Sequence, residues 1–223
     1  MLAILIAKDI WKTYVEEQFV LKNVQLTLNE GEFASIQGRS GAGKSTLLSI
    51  MGLLEKMDRG ELSLFGQATS GFGEKQRAKI RLEKIGFVFQ ALNLIPHITA
   101  TENIEVPLWL KKVNAVKRKE RALDLLNKFG LKCLADRFPH QMSLGEQQRV
   151  AVLRALANEP SLILADEPAA HLDEDNAEIL FDLLRQLNKE FGTSVLMTTT
   201  SVEESDVART RYRLSHGTLE VKV

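Results

Sequence analysis

The sequence has little cysteine, no net charge and no internal repeat, and the first two of these exclude whole classes of protein. The single cysteine, Cys133, can form neither an internal disulfide nor a cysteine-built zinc site, which favours a reducing compartment, with the cytosol as the default. Lys and Arg number 29 and Asp and Glu number 29, so no global field draws the chain toward nucleic acid or an anionic bilayer. We expect a cytoplasmic protein that does not bind nucleic acid.

A long apolar run is also missing. The longest stretch without a formal charge, residues 85–101, is shorter than the roughly 20 residues that span a bilayer. The apolar start, residues 1–7, has no basic region before it, unlike a secretory signal, and it predicts an edge strand. We expect no transmembrane segment, so any membrane role would come through a partner.

The 223 residues, 44% of them apolar and 26% charged, suit a single globular domain over residues 1–223. Strands are predicted at 3–10, 20–28, 32–37, 60–65, 85–89, 161–165, 193–199 and 210–214. Helices are predicted at about 44–54, 101–110, 115–129, 144–158, 173–190 and 201–208. This alternation predicts an α/β fold with a parallel sheet covered by helices. The almost wholly helical block 91–158 predicts a helical subdomain inserted in that fold.

One glycine-rich segment fits the phosphate-binding loop pattern G-x-x-x-x-G-K-[ST], with an apolar strand before it and a helix after it. Its glycines let backbone N–H groups wrap a polyphosphate, Lys44 reaches the terminal phosphates, and the Ser45 hydroxyl can ligate magnesium. The predicted ATP-binding residues of this segment are Gly38, Arg39, Ser40, Gly41, Ala42, Gly43, Lys44, Ser45 and Thr46.

Two adjacent carboxylates, Asp166 and Glu167, end the predicted strand at 161–165. Such a pair alone is more often a solvated turn. With a phosphate loop upstream, Asp166 can hold magnesium while Glu167 activates the attacking water, as phosphoryl transfer requires.

Residues 143–149 open a predicted helix and allow two interpretations. Ser143 and Glu146 have the spacing of a capping box, which satisfies free N–H groups at a helix start. A helix N-terminus with Ser143 and Gly145 is equally an anion site.

Together these elements, in this order, resemble the ATP-binding cassette of ABC transporters. The resemblance covers essentially the whole chain. It is carried by the phosphate loop, the strand 85–89 ending at Gln90, the element 142–149, the strand 162–167, and Leu172-Asp173. Residues 84–108 are also similar to the subgroup of lipoprotein-releasing and macrolide-exporter ATPases, which implies export or lipoprotein release.

The resemblance implies a P-loop nucleoside triphosphate hydrolase core with antiparallel N-terminal strands, and a head-to-tail homodimer that forms on ATP binding. Each ATP would lie between one subunit's phosphate loop and the signature residues of the other, Ser143, Gly145 and Glu146. Gln90 would sense magnesium and the lytic water, beside the magnesium ligands Ser45 and Asp166.

Asp173 would couple the two sites of the dimer, and Tyr14 would stack on adenine, although plain packing explains a lone tyrosine equally well. The resemblance further implies that residues 90–110 receive an integral membrane permease, which would hold the chain at the inner face of the cytoplasmic membrane. The candidate contacts, which would otherwise be subdomain core, are Ile95, Pro96, Ile98 and Trp109.

Three residues depart from the family pattern. Leu144 replaces a glycine, Glu146 replaces a glutamine, and Thr200 stands where the family usually has a catalytic histidine. Threonine lacks the reach and the titratable proton of imidazole, so ATP binding is expected and hydrolysis is expected to be slow.

Three alternatives remain: a hydrolysis-impaired cassette, a soluble ABC-type ATPase acting on nucleic acid or ribosomes, and a small-molecule kinase that shares the phosphate loop. The soluble cassette proteins usually carry two cassettes or a long coiled-coil insertion, and this sequence has one phosphate loop and no sustained heptads. A kinase would leave the element 142–149 without a role.

Overall fold

The computed structural model describes residues 2–15 and 18–222. Their strands are β1 Ala3–Val15, β2 Gln18–Asn29, β3 Phe33–Gln37, β4 Arg59–Leu64, β5 Gln67–Ala68, β6 Ile85–Val88, β7 Leu162–Asp166, β8 Ser194–Thr199, β9 Thr210–Ser215 and β10 Thr218–Lys222. Their α-helices are α1 Lys44–Met51, α2 Glu74–Lys84, α3 Ala100–Leu110, α4 Ala115–Lys128, α5 Leu144–Leu156, α6 Glu174–Phe191 and α7 Val202–Ser205. Short 3₁₀ turns cover Lys132–Leu134 and Pro139–Gln141.

The strands form two sheets. The larger sheet has the order β10-β9-β3-β8-β7-β6, in which every neighbouring pair is parallel except β9 and β10. The smaller sheet, β2-β1-β4-β5, is antiparallel. The predicted α/β class, with a mainly parallel sheet and antiparallel N-terminal strands, is confirmed.

Two apolar clusters cover the two faces of the larger sheet. Successive side chains on a strand point to opposite faces, so Ile163 and Leu164 of β7 enter different clusters. The cluster with Ile163 also contains the buried faces of α3 to α6. The cluster with Leu164 contains α1 and the smaller sheet. Burial on both faces explains why residues 162–165 of β7 and 195–197 of β8 are continuous apolar runs rather than alternating ones.

The chain between β6 and β7 holds α3, α4, both 3₁₀ turns and α5. Buried side chains of these helices, among them Ile104, Leu125 and Leu153, share one cluster with β7 and β8. That the block 91–158 is a subdomain of its own stays a prediction.

Two expectations about single elements were wrong, and the predicted set left out helix α2 and strands β5 and β10. The segment 1–7 is not an edge strand, because β1 lies between β2 and β4, with Leu5 paired to both Leu28 and Leu64. The helix expected at 201–208 covers only Val202–Ser205. Helix α2 was missed because its charged sequence has little apolar stripe, and backbone contacts hold it instead: Arg77 and Arg81 both donate to the Leu53 carbonyl, at 3.1 and 2.8 Å.

No helix in the described part of the chain is both long enough and apolar enough to cross a membrane.

Candidate nucleotide site

The glycine-rich segment lies between the end of β3 and the start of α1. Gly41 and Gly43 have φ angles of 76° and 99°, in the left-handed region that favours glycine. A Cβ at Gly38 would lie 2.7 Å from the Leu214 carbonyl oxygen, so β9 leaves room for glycine alone. These requirements explain the spacing of the glycines and place the loop at the carboxyl edge of the sheet.

Lys44 is the first residue of α1, and its side chain is 3% exposed. Its ammonium donates to the carbonyls of Gly38 and Arg39, at 2.8 and 3.0 Å. Its third partner is the Glu167 carboxylate, with Nζ 2.9 Å from Oε1. The lysine therefore joins the phosphate loop to the end of β7 through a largely buried ion pair, in which either charge would be costly to leave alone.

Thr198 of β8 organises the two carboxylates. It lies beside Asp166 in the strand register, and its hydroxyl donates to Asp166 Oδ1 at 2.6 Å. The same hydroxyl accepts from the Glu167 N–H at 3.0 Å. Glu167 has a φ of 43°, a left-handed conformation that is uncommon outside glycine. Because of this turn, the side chains of Asp166 and Glu167 leave the backbone in different directions. Sequence reasoning missed Thr198, although a polar residue at the end of a buried strand was a visible signal.

A cavity of about 320 Å³ brings most of the predicted residues together. Tyr14 and Gln90 lie on it with Lys44 and Glu167, and Val20 of β2, which the sequence did not suggest, completes the wall. The phosphate-loop residues on it are Ser40, Gly41, Gly43, Lys44, Ser45 and Thr46. Four segments that are far apart in the sequence therefore meet in one place.

The donors predicted for magnesium are near one another. Ser45 lines this cavity with Gln90, and it also lines a small adjoining cavity with Asp166. Hydroxyl, amide and carboxylate oxygens form the donor set that a hard divalent cation prefers. The hydrogen bond from Thr198 fixes the Asp166 carboxylate in place. The residues present therefore fit a magnesium ion.

A half-buried arginine of α5 holds the segment that follows Gln90. Arg154 donates to the carbonyls of Leu92, at 2.7 Å, and Asn93, both of which have left-handed φ angles. Burial lowers the pKa of Arg154. Sequence reasoning missed this contact.

The signature residues do not line the cavity of their own chain. Ser143 and Glu146 form the predicted capping box of α5: the Ser143 N–H donates to the Glu146 carboxylate at 2.8 Å, and its hydroxyl accepts from the Glu146 N–H at 3.2 Å. Gly145 packs closely on α6, because a Cβ there would lie 2.4 Å from Asn176 Oδ1. Leu144 is exposed.

Asp173 caps α6 and is held by the same asparagine. The Asn176 backbone and side-chain N–H groups both donate to the Asp173 carboxylate, at 2.8 and 2.9 Å, and lower the pKa of that group. Asn176 therefore contacts both Asp173 and helix α5, which begins with the signature residues. The sequence did not reveal this link.

Thr200 does not line the cavity that holds Glu167 and Gln90. It is exposed after β8 and lines a second cavity, of about 790 Å³, with residues 37–42 and 213–217. Glu167 and Gln90 do not line this cavity. Thr200 and Glu167 thus line different cavities, and both of these cavities adjoin the phosphate loop.

Comparisons with known proteins agree with this arrangement. Residues 21–170 match the family model described as ABC transporter. The chain is 43% identical to the uncharacterised ABC transporter ATP-binding protein MJ0796 of Methanocaldococcus jannaschii, over 96% of this chain and 94% of that one. It is also 43% identical to the lipoprotein-releasing system ATP-binding protein LolD of Aquifex aeolicus, over 100% of this chain and 95% of that one. A solved dimeric structure of MJ0796 in a post-hydrolysis state, bound to ADP and Pi, has a TM-score of 0.88 and 42% identity, and the match covers 97% of this chain and 96% of that one.

Proposed function

The chain belongs to the ABC transporter family as an ATP-binding and ATP-hydrolysing subunit, and on that premise we propose that it powers a separate membrane permease for lipoprotein release or export. The observation that carries the proposal is the near full-length identity to LolD proteins, 43% for the one from Aquifex aeolicus and 39% for the one from Francisella tularensis. Residues 84–108, which resemble the same subgroup, lie within that matched length.

In this proposal the triphosphate of ATP binds to the N–H groups of the phosphate loop, and adenine stacks on Tyr14. The Lys44 ammonium leaves the Glu167 carboxylate and binds the terminal phosphates. The Glu167 carboxylate is then free to orient and deprotonate water. Magnesium, held by Ser45, Gln90 and Asp166, would neutralise the charge that develops on the phosphates. The shared position of Lys44 and Glu167 on the cavity supports this sequence of events.

The proposed dimer is head-to-tail. Ser143, Gly145 and Glu146 reach the partner's nucleotide, and Asp173 couples the two sites. Two observations support this: these residues lie away from the cavity of their own chain, and the relative MJ0796 has dimeric structures. The capping box leaves the Ser143 hydroxyl exposed at a helix N-terminus, where anions bind well.

The proposed permease contact is a largely apolar groove beside α3. It has a volume of about 340 Å³, and Phe89, Ile95, Pro107, Leu110 and Arg154 are among its lining residues. The exposed fractions of Ile95 and Trp109 are 42% and 62%, which supports a docking role over a core role for these two residues. Pro96 is exposed and Ile98 half-buried. Through this contact the chain would lie at the inner face of the cytoplasmic membrane.

The first prediction concerns Glu167. Glu167→Gln keeps the shape of the side chain but removes the charge that activates water, so ATP should persist and hold two subunits together. Size-exclusion chromatography with light scattering, with ATP present, should show a dimer for this variant.

The matched control is Glu61→Gln, which makes the same change at an exposed site on β4. This variant should behave as the wild type. A Glu167→Gln protein that stays monomeric at saturating ATP would contradict the proposed dimer.

The second prediction concerns Thr200. Single positioning contacts to a reacting oxyanion are typically worth about 10² to 10³ in rate. Thr200→His should therefore raise the steady-state ATPase rate while the affinity for ATP stays within about twofold. Ser70→His, at an exposed loop site, is the control. A turnover number that is unchanged or lower in the histidine variant would show that other groups already compensate.

The third prediction concerns the permease. Trp109→Glu places a charge on an exposed side chain of the proposed contact, so stimulation of the ATPase by its membrane permease should fall about tenfold or more. The basal ATPase rate should not change. Val221→Glu, with a similarly exposed side chain on the edge strand β10, should keep full stimulation. If both variants are stimulated equally, the exposed face of α3 that carries Trp109 is not part of the contact.

A further inference from the structure

Lys12 is a buried lysine at the end of β1, next to the exposed Tyr14. The exposed fractions of the two residues are 7% and 57%. Lys12 Nζ lies 5.1 Å from the centroid of the Tyr14 ring, within the roughly 6 Å over which an ammonium is attracted to an aromatic face. The pair therefore consists of a fixed cation and a ring that faces the nucleotide cavity.

The segment that follows α1 fixes the position of the ammonium. Lys12 donates to the Lys56 carbonyl at 2.8 Å, and its Nζ lies 2.8 Å from Glu55 Oε1 and 3.4 Å from Asp58 Oδ1. Burial acts to lower the pKa of Lys12, but the hydrogen bond to Glu55 and the charge of Asp58 outweigh it, so the pKa lies above its usual value. The lysine therefore stays charged at neutral pH.

Tyr14 has weaker contacts of its own. Its hydroxyl donates to Thr46 Oγ1 over a long 3.4 Å, at an exposed position. A half-exposed side chain with one weak hydrogen bond loses rotamer freedom when a ligand stacks on it, and that loss reduces affinity. A fixed cation beside the ring reduces this cost because it holds the ring before the ligand arrives.

We infer that Lys12 is a positioning residue that holds the Tyr14 ring in place as the platform for the adenine base of ATP. The inference rests on the proposed stacking of adenine on Tyr14. It separates the nucleotide site into two parts: the phosphate loop determines affinity for the triphosphate, and the Lys12–Tyr14 pair determines the added affinity for a purine base.

The competing explanation is purely structural, because Lys12 also ties β1 to residues 55–58. Asp58 strengthens that tie by accepting from the Thr13 N–H at 2.7 Å. A structural role predicts that loss of Lys12 weakens every ligand of the site. A positioning role predicts that it weakens only ligands that carry a base.

The test is calorimetric binding of magnesium-ATP and of magnesium-tripolyphosphate, which has the phosphates without the base. Lys12→Met should weaken ATP binding by about three- to tenfold and leave tripolyphosphate binding within about twofold. Lys12→Arg, which keeps the charge, should restore most of the ATP affinity. Lys8→Met, an exposed lysine on the same strand, should match the wild type for both ligands.

Tyr14→Leu completes the cycle. This variant should lose ATP affinity selectively, and adding Lys12→Met to it should cause no further loss. If Tyr14→Leu binds ATP normally, the stacking proposal and this inference both fail. If Tyr14→Leu is impaired and Lys12→Met is not, or if Lys12→Met weakens both ligands equally, this inference alone fails.

Discussion

The contact between Lys44 and Glu167 is the interaction on which the rest of the site depends. One buried ammonium joins the phosphate loop, through the carbonyls of Gly38 and Arg39, to the carboxylate at the end of β7. The contact is possible because β3 and β7 are parallel strands on either side of β8, so their carboxyl ends meet at one edge of the sheet. In the proposed mechanism this contact links binding to hydrolysis, since the lysine proposed to engage the phosphates also restrains the carboxylate proposed to activate water.

Helix α5 links the surface of the proposed dimer contact to the surface of the proposed permease contact. Its N-cap is Ser143 and its first turn contains Gly145, and the proposed dimer requires both. Its last turn contains Arg154, which holds the segment after Gln90 beside the groove of α3. A helix of 13 residues is about 20 Å long, so these surfaces lie at opposite ends of one rigid element. Asn176 adds a second connection, from Gly145 to Asp173.

Local motifs predicted the centre of the site well, and long-range contacts account for what was missed. The phosphate loop and the pair Asp166 and Glu167 are contiguous, so their chemistry is visible in the sequence, and the structure brings them together with Gln90 and Tyr14. Thr198, Arg154 and Asn176 act on residues that are distant in the chain, and their importance emerges only when strand register and helix packing are known. The expected edge strand at 1–7 failed for the same reason, since the sequence does not specify the second neighbour of β1. The structure brings the central residues together, but the chemical role of every site residue stays a prediction, including those of Ser143, Gly145, Asp173 and Thr200.

The exchange of partners by Lys44 is the central claim, and a crystal structure with magnesium and a non-hydrolysable ATP analogue tests it most directly. The quantity to measure is the separation of Lys44 Nζ from the Glu167 carboxylate, 2.9 Å in the structure described here. The account predicts that this separation exceeds about 3.5 Å, beyond direct hydrogen-bond reach, with Nζ on the terminal phosphates. An ion pair that stays intact while the analogue occupies the phosphate loop would contradict it.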